Sequence, residues 1–221
     1  MIVDERIITF INSLDTKNSE ILEDIEREAL ADNVPIIRRE MQSFLKVLLM
    51  VKKPMRVLEV GTAVGFSALL MSEYVPEECA ITTIENYEKR IPIARQNFVR
   101  AGKEKKITLL EGDAMDVLKT LEGPYDFIFM DAAKGQYIHY LPEILRLLAK
   151  GGILVSDNEM QDGDVIESRC AVERRDRTIH ARMREYLYEL KHNDALVTSI
   201  IPLGDGVALS VKKEVGTDIA Q

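Results

Sequence analysis

Tryptophan is absent from this chain of 221 residues, cysteine occurs only twice and histidine three times. Cys79 and Cys170 lie far apart in sequence and lack metal-ligand spacing, so a disulfide framework and a thiolate metal site are both unexpected. They read as free thiols of a reducing cytoplasm. No apolar run approaches the roughly 20 residues of a membrane span, and no signal peptide opens the chain. Internal repeats and low-complexity tracts are missing as well. Positive charge is in deficit: 29 Lys and Arg against 37 Asp and Glu leave a net charge of −8. That balance argues against indiscriminate nucleic-acid binding but leaves room for a local basic patch. With 46% hydrophobic and 30% charged residues, the chain reads as one soluble globular domain with a sizeable core.

The most informative stretch is Met55 to Ser67, M-R-V-L-E-V-G-T-A-V-G-F-S. A short apolar run, Val57-Leu58 and Val60, is interrupted only by Glu59 and breaks at Gly61 to Gly65. It resumes as a helical pattern through Phe66, Ala68, Leu69, Leu70 and Met71. This is the pattern of a buried parallel strand, a glycine turn and a helix that opens a doubly wound α/β sheet. The turn is not a dinucleotide fingerprint, whose second glycine is replaced by Ala63, nor a P-loop, since Phe66-Ser67 stand where Lys-Ser/Thr belongs. Glu59 would repel a polyphosphate and suits a cationic ligand, such as the ammonium and sulfonium of S-adenosylmethionine.

Residues 1 to about 51 read as a helical cap of three helices, the third from Ile36 to Val51, ahead of a catalytic core over 55–212. They are expected to cover the sheet or form a dimer face, with a sharper alternative in which the segment around Ile37 touches the cofactor. Met41, Met50 and Met55 are expected to fill core. After the turn, Ala80–Ile84 reads as a strand ending in Glu85, placed to accept ribose hydroxyls. Tyr87–Ala101 reads as a helix with Gly102 at its C-cap. Lys106–Leu110 reads as a third strand, followed by Gly112-Asp113-Ala114, a turn suited to an adenine ring. Two further apolar strands, Phe127–Met130 and Gly151–Ser156, end in Asp131 and in Asp157-Asn158. Ligands of open α/β sheets sit outside the carboxyl ends of the strands, so these oxygens should converge in one crevice. With no His or Cys near, they favour a hard cation, Mg²⁺ or a similar divalent ion, over Zn²⁺. Lys134, three residues past Asp131, would serve as general base or steady an oxyanion. Leu196–Pro202 and Gly206–Lys212 are joined by too short a turn for a crossover, so they form an antiparallel hairpin.

These motifs, E-V-G-T-A-V-G-F-S, I-E at 84–85, G-D-A at 112–114, M-D-A-A-K at 130–134 and S-D-N at 156–158, resemble those of the cation-dependent O-methyltransferases of the catechol and caffeoyl-CoA type. The resemblance covers about residues 35 to 212. It implies a Rossmann-like seven-stranded methyltransferase sheet, mostly parallel with a C-terminal antiparallel hairpin, helices on both faces and an N-terminal helical extension. It also implies S-adenosylmethionine as cofactor, with Ile37, Ser67, Glu85, Asp113, Ala114 and Asp131 in its pocket beside Glu59, Gly61 and Gly65. Mg²⁺ would be held by Asp131, Asp157 and Asn158, with Lys134 near the substrate hydroxyl, and relatives commonly form homodimers through their N-terminal helices.

For the acceptor, Glu167 to Leu190 reads as a helix whose polar faces carry Arg169, Arg174, Arg175, Arg177, Arg182 and Arg184, six arginines within 16 positions. Arginine clusters suit phosphate, although no aromatic platform for stacking bases accompanies them, and a solvated helix balanced by nearby acids is the bland alternative. The stretch from Arg169 to His180 is also similar to bacterial tRNA 5-hydroxyuridine methyltransferases, which makes the wobble 5-hydroxyuridine of tRNA the first expectation. A small catechol or acyl-CoA phenol comes second. A non-catalytic scaffold comes third, and the intact Asp131, Lys134, Asp157 and Asn158 count against it.

Overall fold

A computed structural model describes residues 3–168 and 170–214. The strands are β1 (Arg56–Val60), β2 (Ala80–Glu85), β3 (Ile107–Glu111), β4 (Tyr125–Met130), β5 (Leu148–Asp157), β6 (Leu196–Ile201) and β7 (Val207–Lys212). They form one seven-stranded sheet in the order β3-β2-β1-β4-β5-β7-β6. β1 to β5 pair in parallel, and β7 alone runs against its neighbours β5 and β6. The parallel sheet closed by an antiparallel hairpin is therefore present as the sequence implies.

Side-chain alternation along the central strands divides the core in two. On β4, Phe127 and Phe129 join the cluster under α2 (Glu20–Ala31), α3 (Arg39–Lys52), α4 (Phe66–Tyr74) and α5 (Ile91–Arg100). Ile128 and Met130 point to the other face, against α6 (Ala114–Thr120), α7 (Tyr137–Leu147) and α8 (Arg177–His192). All four are fully buried, and cutting any of them to alanine would cost about 2–5 kcal/mol. β1 and β4 are neighbours, yet the chain leaves β1 toward β2 on one side and β4 toward β5 on the other. Their carboxyl ends thus form the switch point of the sheet, where a ligand crevice opens.

Several boundaries differ from the sequence reading. The third helix begins at Arg39, not Ile36, and Arg38 is extended, which frees Pro35 to Arg38 to run along the crevice. The helix after β2 begins at Ile91, not Tyr87, because the amides of Asn86 and Tyr87 turn back to the Glu85 carboxylate. α8 begins at Arg177, not Glu167: among the described residues of that segment before Ile179 only Val172 is buried, so an earlier helical turn would have little apolar face to bury. Met50 and Met55 are exposed and do not fill core. α1 (Glu5–Ser13) buries no residue and leaves Ile7, Phe10 and Leu14 in solvent, so α2 and α3 cover the sheet while α1 does not.

Candidate active site

The glycine turn after β1 brings the chain against the end of β4. Gly61 has φ +103, and a Cβ there would lie 2.0 Å from the carbonyl oxygen of Asp131, so only glycine fits. The amides of Gly61 and Thr62 both donate to the carbonyl of Ile84 at 3.1 Å. At Gly65, φ +86, a Cβ would strike the Phe98 ring. Between them Ala63 takes the left-handed φ +47 and donates its amide to Glu85 Oε2 at 2.7 Å. Glu85 Oε1 accepts from the amides of Asn86 and Tyr87 at 3.0 and 2.8 Å. This carboxylate organises two turns at once and still borders the cavity.

Glu59, read as meeting a cationic ligand, lies one layer behind the cavity wall. Strand register sets it opposite Thr83, and its carboxylate accepts hydrogen bonds from the hydroxyls of Ser67 and Thr83. Complete burial pushes the Glu59 carboxyl up to about 7, against the pull of those two hydroxyls. Ser67, on the first turn of α4, does line the cavity.

The strand-end acids come together as the topology requires. The Asn158 side-chain amide donates to Asp131 Oδ1 at 3.1 Å, and its backbone amide donates to Asp157 Oδ1 at 2.8 Å. Asn158 has φ +61, a left-handed conformation that asparagine tolerates, which turns both groups inward. Burial raises the Asp131 carboxyl above its ordinary value, opposed by the Asn158 hydrogen bond and the Lys134 charge. Burial, followed by the nearby Asp131 charge, pushes Asp157 up to about 7. Two carboxylates crowded out of water are a set that a divalent cation would relieve, and an amide oxygen completes a hard, oxygen-only donor set. Among the described residues no three His, Cys, Asp or Glu side chains group as a metal set, so the candidate is two carboxylates and an amide.

Lys134 starts a short 3₁₀ turn after β4 and ion-pairs with Asp205 Oδ2 at 3.3 Å. Asp205 is almost fully buried at 4% exposure and lines the cavity, which Lys134 does not. Sequence reasoning missed Asp205, because Gly204-Asp205-Gly206 reads as a plain hairpin turn. Its place follows only from β7 lying beside β5, with Val207 opposite Asp157.

The cavity measures about 490 Å³ and runs from Pro35–Arg38 past the glycine turn to Asp157, Asn158 and Asp205. Ile37, Ala114 and Asp131 border it. Asp113 itself caps α6 by accepting the Met115 amide at 2.9 Å. Tyr140 of α7, another residue the sequence reading passed over, also lines the wall. Burial raises its phenol, and the Asp113 charge adds to the effect.

The arginines are more dispersed than a single helical face would make them. Arg169 falls outside the described residues. Arg174 and Arg175 are exposed ahead of α8, with Arg175 paired to Glu173 and Asp176. Arg177, Arg182 and Arg184 donate to the carbonyls of Val172, Gly135 and Val165. None of the described arginines of this segment lines the cavity. Among the described residues no helix is long and apolar enough to cross a membrane.

Comparison with known proteins adds a lineage to this geometry. A family model described as O-methyltransferase matches residues 12–213. A catechol O-methyltransferase of Niastella koreensis is 34% identical over 128 residues, spanning 56% of this chain and 58% of that one. Caffeoyl-CoA O-methyltransferase 2 of Populus trichocarpa is 33% identical over 183 residues, 75% of this chain and 70% of that one. The solved structure of an S-adenosylhomocysteine-bound methyltransferase of Podospora anserina superposes with a TM-score of 0.84 at 27% identity, covering 95% of each chain.

Proposed function

The chain belongs to the O-methyltransferase family, and from that premise we propose that it transfers a methyl group from S-adenosylmethionine to an acidic hydroxyl of a small catechol-like or acyl-CoA-linked phenol, with help from a divalent cation. The observation that carries the reading is the meeting, within one cavity, of a glycine turn with the hydrogen-bonded Asp131–Asn158–Asp157 cluster. The names of the catechol and caffeoyl-CoA relatives support this acceptor class over the tRNA expected from the arginine-rich stretch.

Asp131, Asp157 and Asn158 would hold the cation, whose oxygen-only shell suits Mg²⁺. Bound there, the cation would favour the oxyanion of the acceptor near neutral pH, and the cofactor would supply the methyl group. The chain's own part is alignment. Ser67, Glu85 and the glycine turn orient the cofactor end, with Ile37 closing over it. Lys134, ion-paired with Asp205 of the cavity wall, directs a positive charge toward the acceptor end, where it would steady the developing oxyanion. Orienting two reactants in this way contributes on the order of 7–11 kcal/mol.

A second reading keeps tRNA 5-hydroxyuridine as acceptor, and what favours it is the exposed Arg174 and Arg175 ahead of α8. We also assign a second copy of the chain as the cover for the exposed apolar residues of α1, which sedimentation of native protein beside Phe10→Glu would test.

The deciding experiment follows labelled S-adenosylmethionine with Mg²⁺ into catechol, caffeoyl-CoA and 5-hydroxyuridine-bearing tRNA, each with and without EDTA. EDTA-sensitive label in the small phenols is the expected result. Label in tRNA alone would move the second reading to the front, and no label anywhere would overturn both.

A further inference from the structure

We infer that Tyr137 is a positioning residue for the cation site, its hydroxyl clamping together the two strand ends that carry Asp131 and Asp157. The inference rests on the reading that these acids hold a divalent cation. The register between β4 and β5 ends at Met130 opposite Ser156, one residue short of both acids. Neither acid is itself a register partner of the other strand, although a donor set for a small cation needs their spacing held closely.

The fully buried hydroxyl of Tyr137, at the first position of α7, fills this gap. It accepts the backbone amide of Ala132 at 3.0 Å and lies 3.3 Å from each of the carbonyl oxygens of Met130 and Asp157, to either of which it donates. Met130 and Ala132 bracket Asp131, and the third partner is the backbone of Asp157 itself. One phenol oxygen therefore bridges the ends of the two parallel strands at the last pair of their register. The ring is held in turn by Tyr186 of α8, edge-on at 5.5 Å, whose hydroxyl meets Ser156 Oγ at 2.7 Å. Tyr186 braces the ladder through the Ser156 side chain, one residue earlier, which makes it the natural control.

The experiment titrates Mn²⁺ by calorimetry into the native chain, Tyr137→Phe, Tyr186→Phe and Asp157→Ala. All titrations are run in saturating S-adenosylhomocysteine, which holds the variants folded by mass action. Phenylalanine keeps the ring against Tyr186 and removes only the clamp. Tyr137→Phe is expected to weaken Mn²⁺ binding about tenfold or more, to raise the Mn²⁺ needed for half-maximal activity to match, and to recover most turnover once Mn²⁺ saturates. Tyr186→Phe is expected to bind Mn²⁺ as the native chain does. Native binding in Tyr137→Phe beside lost binding in Asp157→Ala would overturn the inference alone. Equal weakening in both tyrosine variants would also overturn it, by reducing the hydroxyl to general packing. A native chain that binds no Mn²⁺, or an Asp157→Ala variant that binds it undiminished, would overturn the cation reading and the inference together.

Discussion

At one end of the cavity each carboxylate is held by several hydrogen bonds, and at the other two carboxylates crowd one another with fewer. Around the glycine turn, Glu85 accepts three backbone amides and Glu59 accepts two hydroxyls. Around the strand ends, Asp131 and Asp157 crowd together behind a single asparagine, and burial drives both carboxyls upward. The first arrangement is preorganised, so a cofactor bound there would not have to rearrange dipoles or side chains. The second holds electrostatic repulsion in the folded chain, which a positively charged ligand relieves. One cavity thus combines a rigid seat with an unneutralised one, and the two should respond differently to mutation, metal and pH.

The largest separation of the two ends should come from Asp131→Ala. It removes a donor from the cation end and leaves the glycine turn in place. Turnover is expected to fall at least about 1,000-fold, roughly 4 kcal/mol of barrier, and the response to EDTA should vanish with it, while S-adenosylhomocysteine still binds in a calorimeter. Activity near the native level with Mg²⁺ dependence intact would show that the strand-end acids are not a functional set. Gly61→Ala should instead break both ends. Its added carbon would lie 2.0 Å from the Asp131 carbonyl at φ +103, and strain and overpacking together cost about 4 kcal/mol. Denaturant unfolding measures that loss, and cofactor binding and turnover should fall in step with it.

The contrast was half legible in the sequence. Parallel strands deliver all their carboxyl ends to one edge, so acids following Met130 and Ser156 had to share a crevice with the glycine turn once the strands were recognised. The layer behind that edge was not legible. Glu59 sits in line with the turn in sequence, but strand alternation and the opposing Thr83 turn it away from the cavity. Asp205 was hidden because only sheet order, not spacing, carries the start of β7 to the side of Asp157. Arginine counting met a related limit: Arg177, Arg182 and Arg184 are bonded to backbone carbonyls, and charge patterns in a sequence do not reveal such partners.

The pH response should sharpen the comparison at the next level of magnitude. Burial raises the Glu59 carboxyl from 4.5 to about 7, so between those values the folded chain holds a proton that the unfolded chain releases. This contribution is full below about pH 4.5 and is lost as pH rises through 7, a fall of about 3 kcal/mol. Asp157, also raised to about 7, adds a slope of the same sign from the other end. Melting curves from pH 5 to 8 should therefore slope downward in metal-free buffer. Glu59→Gln should remove one part of that slope, since an amide can still engage the Ser67 and Thr83 hydroxyls. Mg²⁺ should remove the other part. If Glu59→Gln leaves the slope unchanged while Mg²⁺ abolishes it, the cofactor end carries no titrating group.

The smallest effect concerns the one blemish in the preorganised end. Ala63 adopts φ +47, a left-handed conformation that costs a non-glycine residue about 1–2 kcal/mol. Its amide is fixed there by the Glu85 carboxylate at 2.7 Å. Ala63→Gly would release the strain but give the unfolded chain extra freedom worth about 0.5–1 kcal/mol. The two terms oppose, so the variant should gain only about 0.5 kcal/mol in stability. If the turn is a rigid seat, S-adenosylhomocysteine affinity should then stay within about twofold of the native value, a change of less than about 0.5 kcal/mol. A tenfold drop in affinity with unchanged stability would mean that the alanine methyl group itself shapes the seat. In that case the cofactor end would depend on side-chain contact as the cation end does, and the contrast between a backbone-built seat and a side-chain-built one would not hold.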